Sequence, residues 1–310
     1  MTMTNDASLP LSPKSSIASP IGFIGIGNMG LAMMSRLLAK SWACASFDID
    51  PSQQKSAHSL GAQTLLSASD VGRHCRVTFV VVVNADQVME VLFSDKGLMR
   101  TAQAGDVIFL CPTLGPVDVE AIAHKVQQKG ITLIDAPMSG GPVRAREGQM
   151  SLMLSGSSQE LQRLANLLDA ITVNRFVISE TPGDAAKTKL ANNLLAGIHL
   201  AGVSEVLAMA QSWGLNPLTT LSVMQASSGQ SWIGQDRMQR ALLNDFAPRA
   251  HTSLLAKDTR LALQACEAMN VNAPSLGKLA TLQFERACAE GYKDLDDASL
   301  YLMAGGKPIS

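Results

Sequence analysis

Lys189 and Asn193 stand four residues apart in the run KLANNLLAGIHL, so on a helix they share one face, with Leu190, Leu194 and Leu195 around them. An amine among apolar neighbours sheds its proton more readily, moving from about 10.4 toward the 7 to 8 that suits general acid–base work. An amide one turn on could orient a hydroxyl or a carboxylate. Spacing alone fits equally well a surface lysine laid along apolar side chains. A second constellation is Asp135-Ala-Pro-Met-Ser-Gly-Gly-Pro142, where Ser139, Gly140 and Gly141 follow an apolar run. A hydroxyl and successive backbone N–H groups could clamp a carboxylate there, and the same residues would also make an ordinary turn.

The third constellation is Gly25-Ile26-Gly27-Asn28-Met29-Gly30, between an apolar run and a helical pattern. In that context the first glycine permits a tight turn, the second lets backbone approach a pyrophosphate, and the third lets helix pack on strand. The pyrophosphate then rests on free N–H groups at the helix start. Asp48 follows Gly30 by eighteen residues, near the spacing at which a carboxylate meets the adenosine ribose. It would accept from a free 2′-hydroxyl and repel a 2′-phosphate, and Ile49 offers no cation to pair with one, so NAD is expected over NADP. The alternatives are an incidental glycine-rich turn and, for Asp48 and Asp50, a solvated strand end.

These groups need a scaffold, and the pattern of the chain supplies one. Apolar runs at Ile21–Ile26, 43–48, Val77–Val83, 106–110 and 131–135 alternate with helical stretches, which predicts βαβ units on a doubly wound, mostly parallel sheet. After about Thr181, Leu, Ala and Met recur at helical spacing through 187–213, 217–226, 253–269 and 275–290. The expected organisation is a leader at 1–20, rich in Ser, Thr and Pro and read as disordered, an α/β Rossmann domain over 21–181, and an all-α domain over 182–310 entered through T-P-G-D with Asp184 as N-cap.

Composition narrows the partners. With 310 residues, 46% hydrophobic and 16% charged, the chain can bury large cores, and a formal charge of -1 without a basic run argues against nucleic acid. Its apolar runs are too short to cross a bilayer, so a cytoplasmic protein acting on small molecules is expected. Five cysteines without a paired spacing and five scattered histidines predict no disulfide framework and no metal. His199, in an apolar helical run, reads as structural.

The segments GIGNMGLAM, DAPMSGGPVRAREGQMSLMLSG and GDAAKTKLANN together resemble the β-hydroxyacid dehydrogenase family, the 3-hydroxyisobutyrate dehydrogenase-like group, from Ile21 almost to the C-terminus. The resemblance implies a Rossmann domain, a long interdomain helix, and a helical domain that completes the site and forms a homodimer or homotetramer. It implies an NAD-dependent oxidation of a small hydroxyacid. Lys189 would be the acid–base, and Asn193 with Ser139, Gly140 and Gly141 would hold the substrate. Asn84, Thr113 and Lys257 would join the glycine loop and Asp48 in holding the cofactor. Pro112, where a small Ser is common, and Ala185, where a second Gly is usual, depart from the pattern. VVVVNADQVMEVLF, NLLAGIHLAGVSE, SSGQSWIGQDR and DLDDASLY look most like the L-threonate dehydrogenase branch. Oxidation of 3-hydroxyisobutyrate and reduction of 2-hydroxy-3-oxopropionate (tartronate semialdehyde) are the alternatives. In that branch Ser231 and Trp232 would lie over the substrate; on the residues alone they read equally as a helix cap and a core Trp. A non-catalytic NAD-binding protein on the same fold is the rival reading, against which the retained Lys189 argues.

Overall fold

The computed structural model describes residues 19–309, so the leader expected at 1–20 lies almost wholly outside the described residues. The first part of the chain runs β1 (Ile21–Ile24), α1 (Asn28–Ala39), β2 (Cys44–Phe47), α2 (Pro51–Ser59), β3 (Gln63–Thr64), α3 (Ala68–His74), β4 (Val77–Val80), α4 (Ala85–Phe93), β5 (Val107–Leu110), α5 (Pro116–Gln127) and β6 (Thr132–Asp135). These six strands pair in parallel in the order β3-β2-β1-β4-β5-β6. The side chains of β1, β4 and β5 are buried on both faces, as near-continuous apolar runs require. Phe23, Phe79 and Phe109 lie in register on β1, β4 and β5, their rings stacked with centroids 5.3 and 4.6 Å apart. β1 and β4 end two and three residues earlier than their apolar runs do, because Gly25 and the residues after Val80 turn into loops at the carboxyl edge.

The sheet then continues through β7 (Met138–Ser139), α6 (Gly141–Glu147), β8 (Ser151–Ser155), α7 (Ser158–Arg163), α8 (Ala165–Ile171) and β9 (Asn174–Ser179). Here β8 pairs antiparallel with β6 and β7, and parallel with β9. From Asp184 onward the chain is helical: α9 (Asp184–Ser212), α10 (Pro217–Gln225), α11 (Trp232–Leu242), α12 (Thr252–Ala268), α13 (Ser275–Ala287) and the short α14 (Leu300–Met303). Their core gathers Leu200, Leu207, Met238, Phe284 and Tyr301. An 18-residue window of α9 has a mean hydropathy of 1.4, long and apolar enough to cross a membrane by composition, but half of it is buried inside the fold against the other helices. It is the axis of the helical half.

The entry into α9 departs from expectation. Gly183, at φ 102°, is the N-cap, and Asp184 is the first helical residue, its carboxylate accepting from Ser179 Oγ at 2.7 Å and Lys187 Nζ at 2.9 Å. The first turn is instead satisfied from the sheet. Asp135, the last residue of β6, is buried and accepts from Gly183 N at 3.0 Å, Ala186 N at 2.8 Å and Ser155 Oγ at 3.3 Å. Ala185 N donates in turn to Ser155 Oγ at 3.0 Å. Burial raises the Asp135 pKa to about 6 despite these donors.

A raised carboxyl pKa means that the folded state holds its proton more tightly than the unfolded chain does. The associated stability is complete below about pH 4 and is lost as pH rises through about 6. Asp135→Asn keeps an oxygen for the two N–H donors without the buried charge. It is expected to unfold at higher denaturant than wild type at pH 7.5, by up to about 3 kcal/mol, with the gap closing between pH 6 and 4. A gap independent of pH contradicts the assignment.

Candidate active site

The glycine loop has the shape its spacing predicts. Gly25 sits at φ +83°, and a Cβ there would lie 2.5 Å from the Val81 carbonyl oxygen; a Cβ on Gly30 would lie 2.2 Å from the Gly25 oxygen, so α1 packs directly on the turn. A Cβ on Gly27 would meet nothing within 4 Å. The backbone is therefore bare on that side, and α1 begins at Asn28 with no side-chain cap. Exposed Gly27 and Asn28, with half-buried Met29, leave N–H groups open to a pyrophosphate, the geometry an anion needs at a helix start. Asp48 stands beside them, one carboxylate oxygen accepting from Ile26 N at 2.7 Å and the other from Asp50 N at 2.9 Å. Ile49 is exposed, and Asp50 is the N-cap of α2, accepting from Ser52 N. Asn84 likewise caps α4 by accepting from Gln87 N, at the loop where β4 ends. The residues present fit a dinucleotide.

On α9, Lys189, Leu190, Asn193 and Leu194 are all buried. Asn193 Nδ2 donates to Asp258 Oδ2 of α12 at 2.6 Å, and Asn193 Oδ1 accepts from Asn192 at 3.1 Å, so the amide is held from both ends. Gly197, one turn further, makes this reach possible: a Cβ there would lie 2.8 Å from Thr259 Cγ2, so only glycine lets α12 come this close. Lys257 Nζ, next to Asp258 and 3.1 Å from its Oδ1, donates across to the backbone carbonyls of Val83 at 3.1 Å and Thr113 at 3.0 Å. Those two carbonyls belong to the loops after β4 and β5, where open α/β sheets take their ligands. Thr113 thus meets Lys257 through its main chain. Burial lowers the Lys189 pKa to about 8; Asp258 opposes the shift and the charge of Lys257 adds to it. Asp258 was not singled out in the sequence, and only its place beside Lys257 could have flagged it.

The loop after β6 forms a second set. Ser139 ends β7, opposite Ser151 of β8, and Gly140 and Gly141 follow at φ 120° and 75° into α6. The Arg144 guanidinium lies over the Trp232 ring, 5.8 Å from its centroid. Ser231 is the N-cap of α11, its hydroxyl accepting from Gly234 N at 3.1 Å, as the cap reading had it. Trp232 is 51% exposed, so the reading of a core Trp is corrected: the first residue of α11 points out of the helical core and toward α6. Among the described residues no hydrogen bond links this set to Lys189.

Two family models cover nearly the whole described chain. Residues 20–179 match the NAD-binding domain of 6-phosphogluconate dehydrogenase, and residues 183–304 match the NAD-binding model of NADP-dependent 3-hydroxyisobutyrate dehydrogenase. The chain belongs to the 3-hydroxyisobutyrate dehydrogenase-like family. An L-threonate dehydrogenase of Cupriavidus necator is 29% identical over 90% of this chain and 94% of its own length. A 2-hydroxy-3-oxopropionate reductase of Escherichia coli is also 29% identical, over 90% and 95%. The crystal structure of a 3-hydroxyisobutyrate dehydrogenase from Salmonella typhimurium superimposes with a TM-score of 0.85 at 30% identity, covering 92% of this chain and 99% of that one. This member of the family is an NAD-binding oxidoreductase acting on the CH–OH group of hydroxyacids.

The electrostatics of Lys189 generate a direct check. Asp258→Asn keeps an acceptor for Asn193 and removes the charge that favours the ammonium. In competitive acetylation read by mass spectrometry, the wild-type Lys189 amine should titrate near 8, and in the variant lower still. A midpoint near the ordinary lysine value in either protein contradicts the buried placement.

Proposed function

We propose that the enzyme oxidises L-threonate to its 2-oxo acid with NAD, with Lys189 as the proton acceptor. The single observation that carries the reading is a buried lysine with a weakened hold on its proton, one helical turn from a doubly anchored amide and beside Lys257 on the strand-end loops. Relatives named as L-threonate dehydrogenases from several bacteria support the substrate.

NAD, when bound, takes the hydride from the alcohol carbon. The glycine loop, Asp48 and the loops bearing Asn84 and Thr113 would hold the dinucleotide, and Lys257 would swing or stay at their rim. Ser139, Gly140 and Gly141 would hold the substrate carboxylate. Neutral Lys189 Nζ then receives the hydroxyl proton as the C–H bond breaks and the C=O bond forms, and the resulting ammonium stabilises the oxygen. Asn193 orients that oxygen without competing for the proton. Threonate's further hydroxyls would be read by Ser231 and Trp232.

In this reading residues 21–181 form the cofactor domain and 182–310 the substrate and dimerisation domain. The outer face of α9 suits a second copy. Leu195, His199, Gly202, Val206, Met209 and Trp213 recur at alternating four- and three-residue spacing and, where a structural His199 was expected, all six are exposed. Beside them α9 and α13 border a cavity of about 560 Å³. A homodimer, or a homotetramer built from it, would cover this seam.

Lys189→Ala is expected to lower kcat by about 10² to 10⁴ with the Kd for NAD unchanged. In wild type the oxidation rate should climb as pH passes through about 8, where the amine loses its proton, and Lys189→Arg should lack that limb. Near-normal turnover in the alanine variant overturns the role. For the cofactor, Asp48→Ser with Ile49→Arg should move kcat/KM toward NADP by removing a repulsion and adding a phosphate partner; wild type that already prefers NADP refutes the reading of Asp48.

A further inference from the structure

Four arginines among the described residues are buried or half-buried: Arg36, Arg144, Arg237 and Arg240. Arg36 Nε donates to the Ala170 carbonyl at 3.0 Å, Arg237 pairs with Asp297, and Arg240 pairs with Asp296 at 2.8 Å. Arg144 differs. Among the described residues no carboxylate lies within 4 Å of its guanidinium and its side chain makes no hydrogen bond. What holds it is shape. The guanidinium carbon lies over the ring of Trp232, from α11, 5.8 Å from its centroid, and the arginine stem lies on Gly140. A Cβ on Gly140 would sit 3.2 Å from Arg144 Cδ and 3.5 Å from Nε. The fork thus stands beside an aromatic ring and the Ser139–Gly141 loop, its N–H donors unspent. A cation–ring attraction consumes no N–H donor, so the donors stay available to a ligand.

We propose that Arg144 is a specificity-determining residue: it gives the loop at Ser139–Gly141 a positive charge and pairs with the carboxylate of the hydroxyacid, while Trp232 is the positioning residue that holds the guanidinium at that loop. This deepens the reading above and rests on it only in placing the substrate at that loop. The loop alone offers neutral donors, a hydroxyl and backbone N–H groups, which bind a carboxylate and a primary amide with comparable ease. A guanidinium separates the two, since charge-assisted bidentate pairing is roughly twice as strong as neutral hydrogen bonding. Because the pieces come from both halves of the chain, the cation is in place only when α11 faces α6, so carboxylate binding and closure of the two halves reinforce one another.

The test uses the full-length enzyme with saturating NAD. From L-threonate, 3-hydroxyisobutyrate and glycerate, the acid oxidised fastest by wild type is taken as substrate and its primary amide as competitive inhibitor. Arg144→Gln should raise KM for the acid about 10- to 100-fold, with kcat changed far less and the Ki of the amide and the Kd of NAD unchanged. Arg144→Lys should recover part of the loss, and Trp232→Leu should raise KM for the acid while Trp232→Phe should not. An unchanged KM, or equal shifts for acid and amide, overturns the proposal. If an acid other than threonate is oxidised fastest, the substrate reading fails while this test proceeds with that acid; if none is oxidised, both fall.

Discussion

The position of α9 depends on one buried carboxylate. Asp135 ends the sixth strand and accepts from two N–H groups in the first turn of α9 and from Ser155 on the neighbouring strand. Strand, antiparallel extension and helix therefore meet on a single oxygen. The interaction draws on the same orphan N–H groups that side-chain caps usually satisfy, but here the cap comes from forty-eight residues away and fixes the helix to the sheet. Lys189 follows Ala186 by less than a turn, so its place near Asp258 and Lys257 depends on this joint. A helix capped locally by Asp184 would have been free to pivot.

Around that axis the cleft balances two opposed demands. In the proposed role Lys189 must be dry enough to give up its proton, yet an isolated buried ammonium would be costly to keep once the proton is taken up. Asp258 answers both. Its charge offsets the desolvation of Lys189, and its second role, accepting from Asn193 Nδ2, aligns the amide one turn along. Lys257 sits on the other flank of the same carboxylate and donates to the Val83 and Thr113 carbonyls. One acidic side chain thus couples the helical half to the loops of the sheet, and Gly197 supplies the close helix approach on which that coupling rests.

The parts of this arrangement that were legible in the sequence are those that local chemistry dictates. The glycine loop was readable because a positive φ, a bare backbone and a close helix contact each exclude side chains, and the parallel strands because burial on both faces leaves an unbroken apolar run. Lys189 and Asn193 were readable as a pair because helical spacing is local. The strands β7, β8 and β9 were not read as such, for they carry short or mixed patterns, and β9 places Phe176, Val177 and Ile178 at the surface. The cap at α9 was misread because Asp184 is a good local candidate, and nothing nearby announces a partner in β6. Asp258 and the stack of Arg144 on Trp232 were hidden for the same reason: each is a contact between distant segments.

The late acidic segment shows how such distant contacts aim a site residue. Asp296 accepts from Arg240 of α11 and from the backbone N–H groups of Arg249, Ala250 and Ala298, and Asp297 pairs with Arg237, one turn earlier on α11. Burial works against the ionised form of Asp296, but these donors hold its carboxyl below the usual range. Both pairs act on the carboxyl half of α11, whose first residue is Trp232. Ser231 caps that end locally and Gly234 packs on Val203 of α9, so the direction in which Trp232 projects is fixed from both ends of the helix. The acidic pair, which looked like a mark of substrate class, is in this sense structural: it acts on the cleft by orienting the helix that carries the ring.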